Sequence, residues 1–498
     1  MKIKINKYLN PFNLLMAALI LLALFVRLYR VGPLLGFYFD QGRDAMVIWN
    51  LWHEGKFFLI GPVTGLAGIF LGPLYYYLIA PFYLVGGGNP VYPAAFVSFL
   101  TVIALFLLFK LGSSMHSKEA GIFALAIGSI SRSLVLDSRW FSNPTPIFLS
   151  SVILLWSLWK ILNKGKGYWW ILAALMIGLS LQFESASAIF YLPMILAFAV
   201  WQRKILPGVK TLALALGAFF TTLLPQLIFN FRHDNILLDN LIDTFFKQKS
   251  FSGDIGSALV QRLDFFWGAF SSKIFSEPQA IIGAFFILVF LFLLKAKKLK
   301  KILVLFSLFL GAPIIGITLF QGNFGNIYDY YLFGYFLPFV LLFSIGLAEI
   351  WKARIGKLIV IIFFTLFVYK NVPPVKNYII AGFDGPTHIT LGNELQAVDW
   401  ILEDARKEGK PFNVDVYVPP VIPHAYDYLF LWRATQKCGD NLCLMERNSQ
   451  VPLLFTLYEV DPPHPERLEA WLLRQKGIGK VIFGEKFGGI TVQRRQRL

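Results

Sequence analysis

The chain has 498 residues, of which 56% are hydrophobic, 17% aromatic and only 15% charged, and its mean hydropathy is +0.61. That composition excludes an ordinary soluble globular protein and indicates an integral membrane protein. The formal net charge of +17 falls in short basic clusters between apolar segments, the pattern that encodes membrane orientation, which argues against nucleic acid as a partner. Two cysteines, Cys438 and Cys443, are too few for a disulfide framework and lack the further ligands of a structural zinc site. They suit one small-loop disulfide if that region is extracytoplasmic.

The first apolar run, Pro11 to Tyr29, follows Lys2, Lys4 and Lys7. It is too long for a secretory signal, and no small-residue cleavage site follows it, so it reads as a signal anchor with a cytoplasmic N-terminus. Immediately beyond comes Phe37-Tyr38-Phe39-Asp40-Gln41-Gly42-Arg43-Asp44-Ala45. Two carboxylates and an arginine this close to a span stay at the bilayer surface, where water, head groups and lipid tails are all within reach. A helix continuing from Arg43 puts Arg43, Asn50 and Glu54 on one face and lies on the membrane. The alternative is a purely structural role, with Asp40 as the N-cap of this helix and Arg43 on a lipid phosphate.

Residues 72–85 are too short to span, contain Pro81 and are rich in tyrosine, so they form a second interfacial helix. Further spans are expected at 92–112, 119–136, 145–162, 168–183, 186–202, 208–230, 278–295, 301–320, 329–350 and 355–371, about eleven with the first. With that count every basic cluster between spans lies on the side of the N-terminus; counting 72–85 as a span would put all of them outside. The outer segment 232–279 mixes apolar and charged residues and is expected to hold one or two amphipathic helices.

From Pro373-Pro374 the composition becomes that of a soluble domain. Leu391, Leu395, Val398, Leu402 and Ala405 follow helical spacing, and Phe412, Val414, Val416 and Val418 alternate as in a strand. A second helix is expected over Pro465–Gln475 and a strand at Val481–Phe483. The fold class is therefore an α-helical polytopic membrane domain, 1–371, followed by a small extracytoplasmic α/β domain, 372–498, a lid or acceptor-binding module.

The same parity places Asp40, Arg43, Arg139, Asn143, Glu184, Arg232, His233, Tyr328 and Tyr330 on the outer face. Group transfer from a lipid carrier needs a carboxylate to take the acceptor proton and cations to hold the carrier phosphate. Asp40 is the best placed base; Arg43, Arg139, Arg232 and His233 are candidate phosphate contacts. Each has a competing role: Arg139 can pair with Asp137, Arg232 can mark a span end, and His233 can be a surface histidine. Glu184, in a very short turn between spans, faces the bundle as a site residue or an ion-pair partner. Tyr328 and Tyr330 suit sugar stacking or an interfacial aromatic belt.

These features resemble the GT-C superfamily of polyprenyl-phosphate-sugar-dependent glycosyltransferases, in the branch of protein O-mannosyltransferases and lipid A aminoarabinose transferases. The resemblance covers about residues 10–371 and rests on Asp40 followed three residues later by Arg43, a surface helix with Asn50, Glu54 and Gly55, the Gly-Pro-Leu-Tyr-Tyr-Tyr helix from Gly72, and the outer turn ending Asn143-Pro144. It implies that Asp40 is the catalytic base of an inverting transfer to an acceptor hydroxyl on a lipid, glycan or protein, that the donor is a polyprenyl-phosphate sugar held in the bilayer, and that no nucleotide-binding fold is needed. Many relatives carry acids where this chain has Gln41 and Asn143, and no ligand motif here supports a divalent cation. A glycolipid transporter or flippase, or a non-catalytic glycolipid-binding protein, is the alternative; a transporter would place ionisable groups at mid-membrane depth in broken helices or repeated halves.

Overall fold

The computed structural model describes residues 10–64, 68–247, 255–320, 326–380, 385–419 and 422–498; Lys2, Lys4 and Lys7 lie outside them. The order begins with α1 (Pro11–Leu28), the short α2 (Val31–Leu34), α3 (Phe39–His53), α4 (Leu74–Val85), α5 (Val91–Met115), α6 (Lys118–Ile130) and α7 (Arg132–Arg139). It continues with α8 (Ile147–Leu162), α9 (Tyr168–Phe183), α10 (Ser185–Ala188), α11 (Tyr191–Trp201), α12 (Val209–Arg232), α13 (Ile236–Ile242) and α14 (Ile255–Ser271). The last helices before the C-terminal unit are α15 (Gln279–Lys295), α16 (Lys300–Leu319), α17 (Phe333–Trp351) and α18 (Arg354–Ile380).

Apolar helical segments stand at all eleven expected positions. Six are long and apolar enough to cross a membrane, and α6 with α7, bent by 65°, makes a seventh. The segments of α8, α9, α10 with α11, and α15 are shorter apolar helices; at 1.5 Å per residue, 16 or 17 residues reach about 25 Å, less than the ~30 Å hydrocarbon core. By length and composition, then, six or seven of the eleven are full-length spans. The span over Asp329–Trp351, which contains α17, is 89% buried and forms the centre of the bundle. By contrast α12 packs along α9 on one side and leaves Leu212, Leu216, Phe220 and Leu224 exposed on the other, as a lipid-facing helix does.

The boundary expected at 371/372 falls inside α18, which runs through Pro373 and Pro374 to Ile380. Its end is anchored by Arg30, whose Nη1 donates to the carbonyls of Ile379 and Ile380, so tertiary contacts hold a helix that proline alone would tend to stop. Beyond it α19 (Leu391–Glu408), β1 (Phe412–Tyr417), α20 (His424–Cys438), β2 (Leu453–Glu459), α21 (Pro465–Ile478), β3 (Gly479–Phe487) and β4 (Ile490–Arg497) build the α/β unit. Its sheet has the order β1-β2-β4-β3; β1 and β2 are parallel and the other pairs antiparallel. The expected helices and strands are α19, β1, α21 and β3, while α20, β2 and β4 had no expectation. Cys438 and Cys443 are joined by a disulfide.

This unit shares one hydrophobic core with α3 and α4: Phe37, Ile48, Tyr75 and Tyr83 pack with Leu391, Tyr428, Trp432 and Phe455. The Tyr428 hydroxyl donates to Gly88 O at 2.5 Å and Trp432 Nε1 to Gly87 O at 2.8 Å, while Leu391 N donates to Leu35 O at 2.8 Å. At Gly42 the backbones of α3 and α20 are so close that a Cβ would lie 2.3 Å from His424 C and O and Ala425 N. Backbone on both sides cannot yield without moving a helix. Gly42→Ala is therefore expected to destabilise the protein by about 1–3 kcal/mol, read as a lowered thermal unfolding midpoint, whereas Gly217→Ala, in the interior of α12 with nothing within 4 Å of the added Cβ, is expected to hold or raise it.

Candidate active site

The α3 helix starts one turn earlier than Arg43, and Asp40 is not its cap. Tyr38 occupies the N-cap position, and the Gln41 side chain accepts from Tyr38 N at 3.0 Å. The other end of the same amide, Gln41 Nε2, donates to Phe141 O at 2.9 Å. A glutamate here would supply the acceptor but not the donor. Asn143 acts in the same way: its Nδ2 donates to Phe183 O at 2.7 Å. Both amides thus tie the Trp140–Asn143 turn to its neighbours.

Asp40, freed from capping, lies in the first turn of α3 with its side chain 48% exposed. Its Oδ1 is 2.8 Å from Arg43 Nη1; Oδ2 has no hydrogen-bond partner among the described residues. The guanidinium reaches the other way to Asp44, with Nη2 and Nε at 2.7 and 3.0 Å from Asp44 Oδ1, and the Tyr76 hydroxyl of α4 donates to the same oxygen at 3.1 Å. Arg43 also lies over the Phe39 ring, 5.8 Å from its centroid. The result is a charged cluster, Asp40–Arg43–Asp44–Tyr76, walled by Phe58, whose ring packs on Tyr76 and Tyr77 at 5.2 and 4.7 Å. Burial pushes the Asp44 carboxyl up to about 6 against the pull of Arg43. Chemically, the cluster offers a solvent-accessible carboxylate oriented by a cation, with a buried second carboxylate that sets how much of that cation's charge is free.

A second group gathers across the Trp140–Asn143 turn. Glu184 is buried at the break between α9 and α10, where its Oε1 accepts from Ala186 N at 3.1 Å, and burial pushes its carboxyl up to about 7. The Asp329–Leu332 turn packs on α10, bringing Tyr330 over Trp140 at 5.7 Å and stacked on Tyr328 at 5.4 Å. Glu184, Asn143, Tyr328 and Tyr330 therefore share one neighbourhood.

The remaining candidates go elsewhere. Arg139 is 7% exposed, and its guanidinium donates to the carbonyls of Val26, Arg27, Tyr29 and Arg30 at 3.0–3.3 Å; it caps the C-terminal end of α1 rather than facing a phosphate, and it does not pair with Asp137. The partner of Asp137 is the buried Lys273, at 2.7 Å. Arg232 is exposed at the end of α12, and His233 beside it stacks on Phe229 at 4.0 Å with Nδ1 2.8 Å from Phe229 O. Asp44, noted in the sequence only as the second carboxylate beside Arg43, and Tyr76, noted only as part of the tyrosine-rich helix, join the site through the contacts between α3 and α4, which local spacing does not show. Among the described residues no three His, Cys, Asp or Glu side chains gather to hold a metal ion.

A family model described as dolichyl-phosphate-mannose-protein mannosyltransferase matches residues 71–229, a stretch from α4 into α12 that includes Arg139, Asn143 and Glu184 but begins after Asp40 and Arg43. No curated protein sequence matches the chain. Among solved structures, ArnT from Cupriavidus metallidurans bound to undecaprenyl phosphate is similar over 97% of both chains, at 11% identity and a TM-score of 0.57; its apo state gives 0.56 at the same identity and coverage. The apo oligosaccharyltransferase of Archaeoglobus fulgidus is similar over 95% of this chain and 73% of its own, at 13% identity and a TM-score of 0.54. The chain thus has an ArnT-like fold, with six helices, or seven counting α6 with α7, long and apolar enough to cross a membrane.

Asp44 makes stability depend on pH in a defined direction. Its folded pKa lies above that of an unfolded aspartate, so its contribution is fully present below the ordinary carboxylate range and is lost as pH rises through about 6. Relative to Asp44→Asn, the native protein is expected to lose unfolding midpoint between pH 4 and 7; a constant gap between the two over that range contradicts the buried position of Asp44.

Proposed function

We propose that the protein is an inverting glycosyltransferase that moves a sugar from a polyprenyl-phosphate donor to an acceptor hydroxyl at the outer face of the membrane, with Asp40 as base. The observation that carries this reading is the half-exposed Asp40 carboxylate held by Arg43 at the start of a surface helix, within a GT-C fold. The resemblance supplies the role of the first-loop aspartate; the free Oδ2 supplies an atom that can accept the proton. As the acceptor oxygen bonds to the anomeric carbon from the face opposite the leaving group, its proton passes to Asp40. The bond from that carbon to the phosphate oxygen breaks, and its electrons leave on the lipid phosphate.

Arg43 is the cation suited to that developing charge, since a guanidinium matches phosphate geometry and stays protonated throughout. Its partner Asp44 keeps it oriented between turnovers. Tyr328 and Tyr330 offer stacked rings for a sugar, and Glu184 and Asn143 polar groups beside them. Donor affinity comes chiefly from the polyprenyl tail in the bilayer, and so no nucleotide-binding fold is required. The positive-inside pattern and the Cys438–Cys443 disulfide support a cytoplasmic N-terminus and an extracytoplasmic 372–498 region, placed over α3 as an acceptor-side lid.

Asp40→Asn keeps shape and hydrogen bonding but removes the base. Transfer from a radiolabelled polyprenyl-phosphate sugar is expected to fall by about 10²–10⁴-fold with donor binding retained. Full activity in that variant would exclude Asp40 as base, and loss of donor binding together with activity would assign it a binding role, as a transporter or glycolipid-binding protein would show.

A further inference from the structure

A cavity of about 510 Å³ opens between α7, the connection from α14 to α15, and the outer half of α18. It shares no lining residue with the Asp40–Arg43–Asp44–Tyr76 cluster. Two cations from separate elements line it, Arg132 and Lys370, together with the hydroxyls of Ser133, Ser272 and Ser276. Among the described residues neither cation forms an ion pair. Two acids are also present. Asp137 is neutralised by Lys273, which lies 2.7 Å from both Asp137 Oδ2 and Ser133 Oγ, and Glu277 is exposed at the rim.

The walls of this cleft are joined by one buried side chain. Asn371 Nδ2 donates to Ile274 O at 2.9 Å and to Phe367 O at 3.0 Å, while its Oδ1 accepts from Arg132 N at 2.8 Å. A single amide thus fixes α18, the 272–277 connection and the first residue of α7 to one another, so Arg132 and Lys370 are held across a preformed space. The apolar part of the same lining comes from Leu136, Phe275 and Pro374.

We propose that this cleft binds the phosphate head group of a phospholipid from the surrounding bilayer, with Arg132 and Lys370 on the phosphate oxygens, the Ser276 hydroxyl donating beside them, and the start of the acyl chains against Leu136, Phe275 and Pro374. Two cations outside any ion pair, at a polar, roomy space, favour an anion. The apolar part of the lining favours an amphiphile over a free ion. The site is separate from the proposed transfer chemistry and does not depend on it.

The test uses the purified full chain in a neutral detergent, with dihexanoyl phosphatidylglycerol, inorganic phosphate and dihexanoylglycerol as probes in a direct binding assay. The lipid is expected to bind at least about tenfold more tightly than either other probe, and Arg132→Ala with Lys370→Ala to weaken it by about tenfold or more. The Arg132→Lys, Lys370→Arg exchange is expected to restore binding, and Asp40→Asn to leave it unchanged. Should the double variant not fold, the single exposed change Arg132→Gln is read in its place. Equal binding of inorganic phosphate would make this a free-anion site, equal binding of dihexanoylglycerol an apolar one, and unchanged binding in the charge-removing variants would dismiss both cations; each of these overturns the proposal.

Discussion

The backbone contact at Gly42 is the constraint on which the arrangement depends. Where α20 crosses α3, only a hydrogen fits between Gly42 and the His424–Ala425 peptide. That closeness seats the Tyr428 and Trp432 side chains onto Gly88 and Gly87 and merges the C-terminal unit with the surface helices in one core. In turn α3 is held at one rotation, with Gln41 on the Phe141 carbonyl and Asp44 against Tyr76. The remaining face of its first turn is then the one that carries Asp40.

Charge is handled in three different ways within this framework. Arg139 donates to four carbonyls at and just beyond the end of α1, Lys273 is buried with Asp137, and Arg43 is shared between two carboxylates, one half-exposed and one buried. The first two arrangements are saturated and structural. In the third, burial raises the Asp44 carboxyl to about 6 against the pull of Arg43, and the half-exposed Asp40 keeps one side of the guanidinium open to water.

Much of this was legible in the residues, for reasons of scale. Long apolar runs and the tyrosine-rich stretch at 72–85 reflect burial, which acts on every residue of a segment, so eleven helical positions and the short helix α4 could be read directly. Prolines misled at 373–374, because Arg30 anchors a helix end that local propensity would terminate earlier. The helix α20 gave no periodic signal, since Tyr428 and Trp432 meet the surface helices while other positions meet α19, and burial on two sides erases a one-faced pattern. Likewise the fate of Arg139 and the partnership of Asp137 with Lys273 depend on residues more than a hundred positions away, beyond any local spacing. The amides Gln41 and Asn143, which looked like losses of acid, gain their meaning only from the carbonyls of Phe141 and Phe183.

The central claim is that Asp40 and Arg43 share a pocket with the head group of a lipid-linked sugar. A cryo-electron microscopy structure of the Asp40→Asn protein with a polyprenyl-phosphate sugar bound tests it most directly. The account predicts donor phosphate within hydrogen-bonding distance of Arg43 and the sugar lying between residue 40 and the Tyr328–Tyr330 rings; donor density at a site that leaves Arg43 still bridging its two neighbours, with residue 40 facing open water, would contradict it.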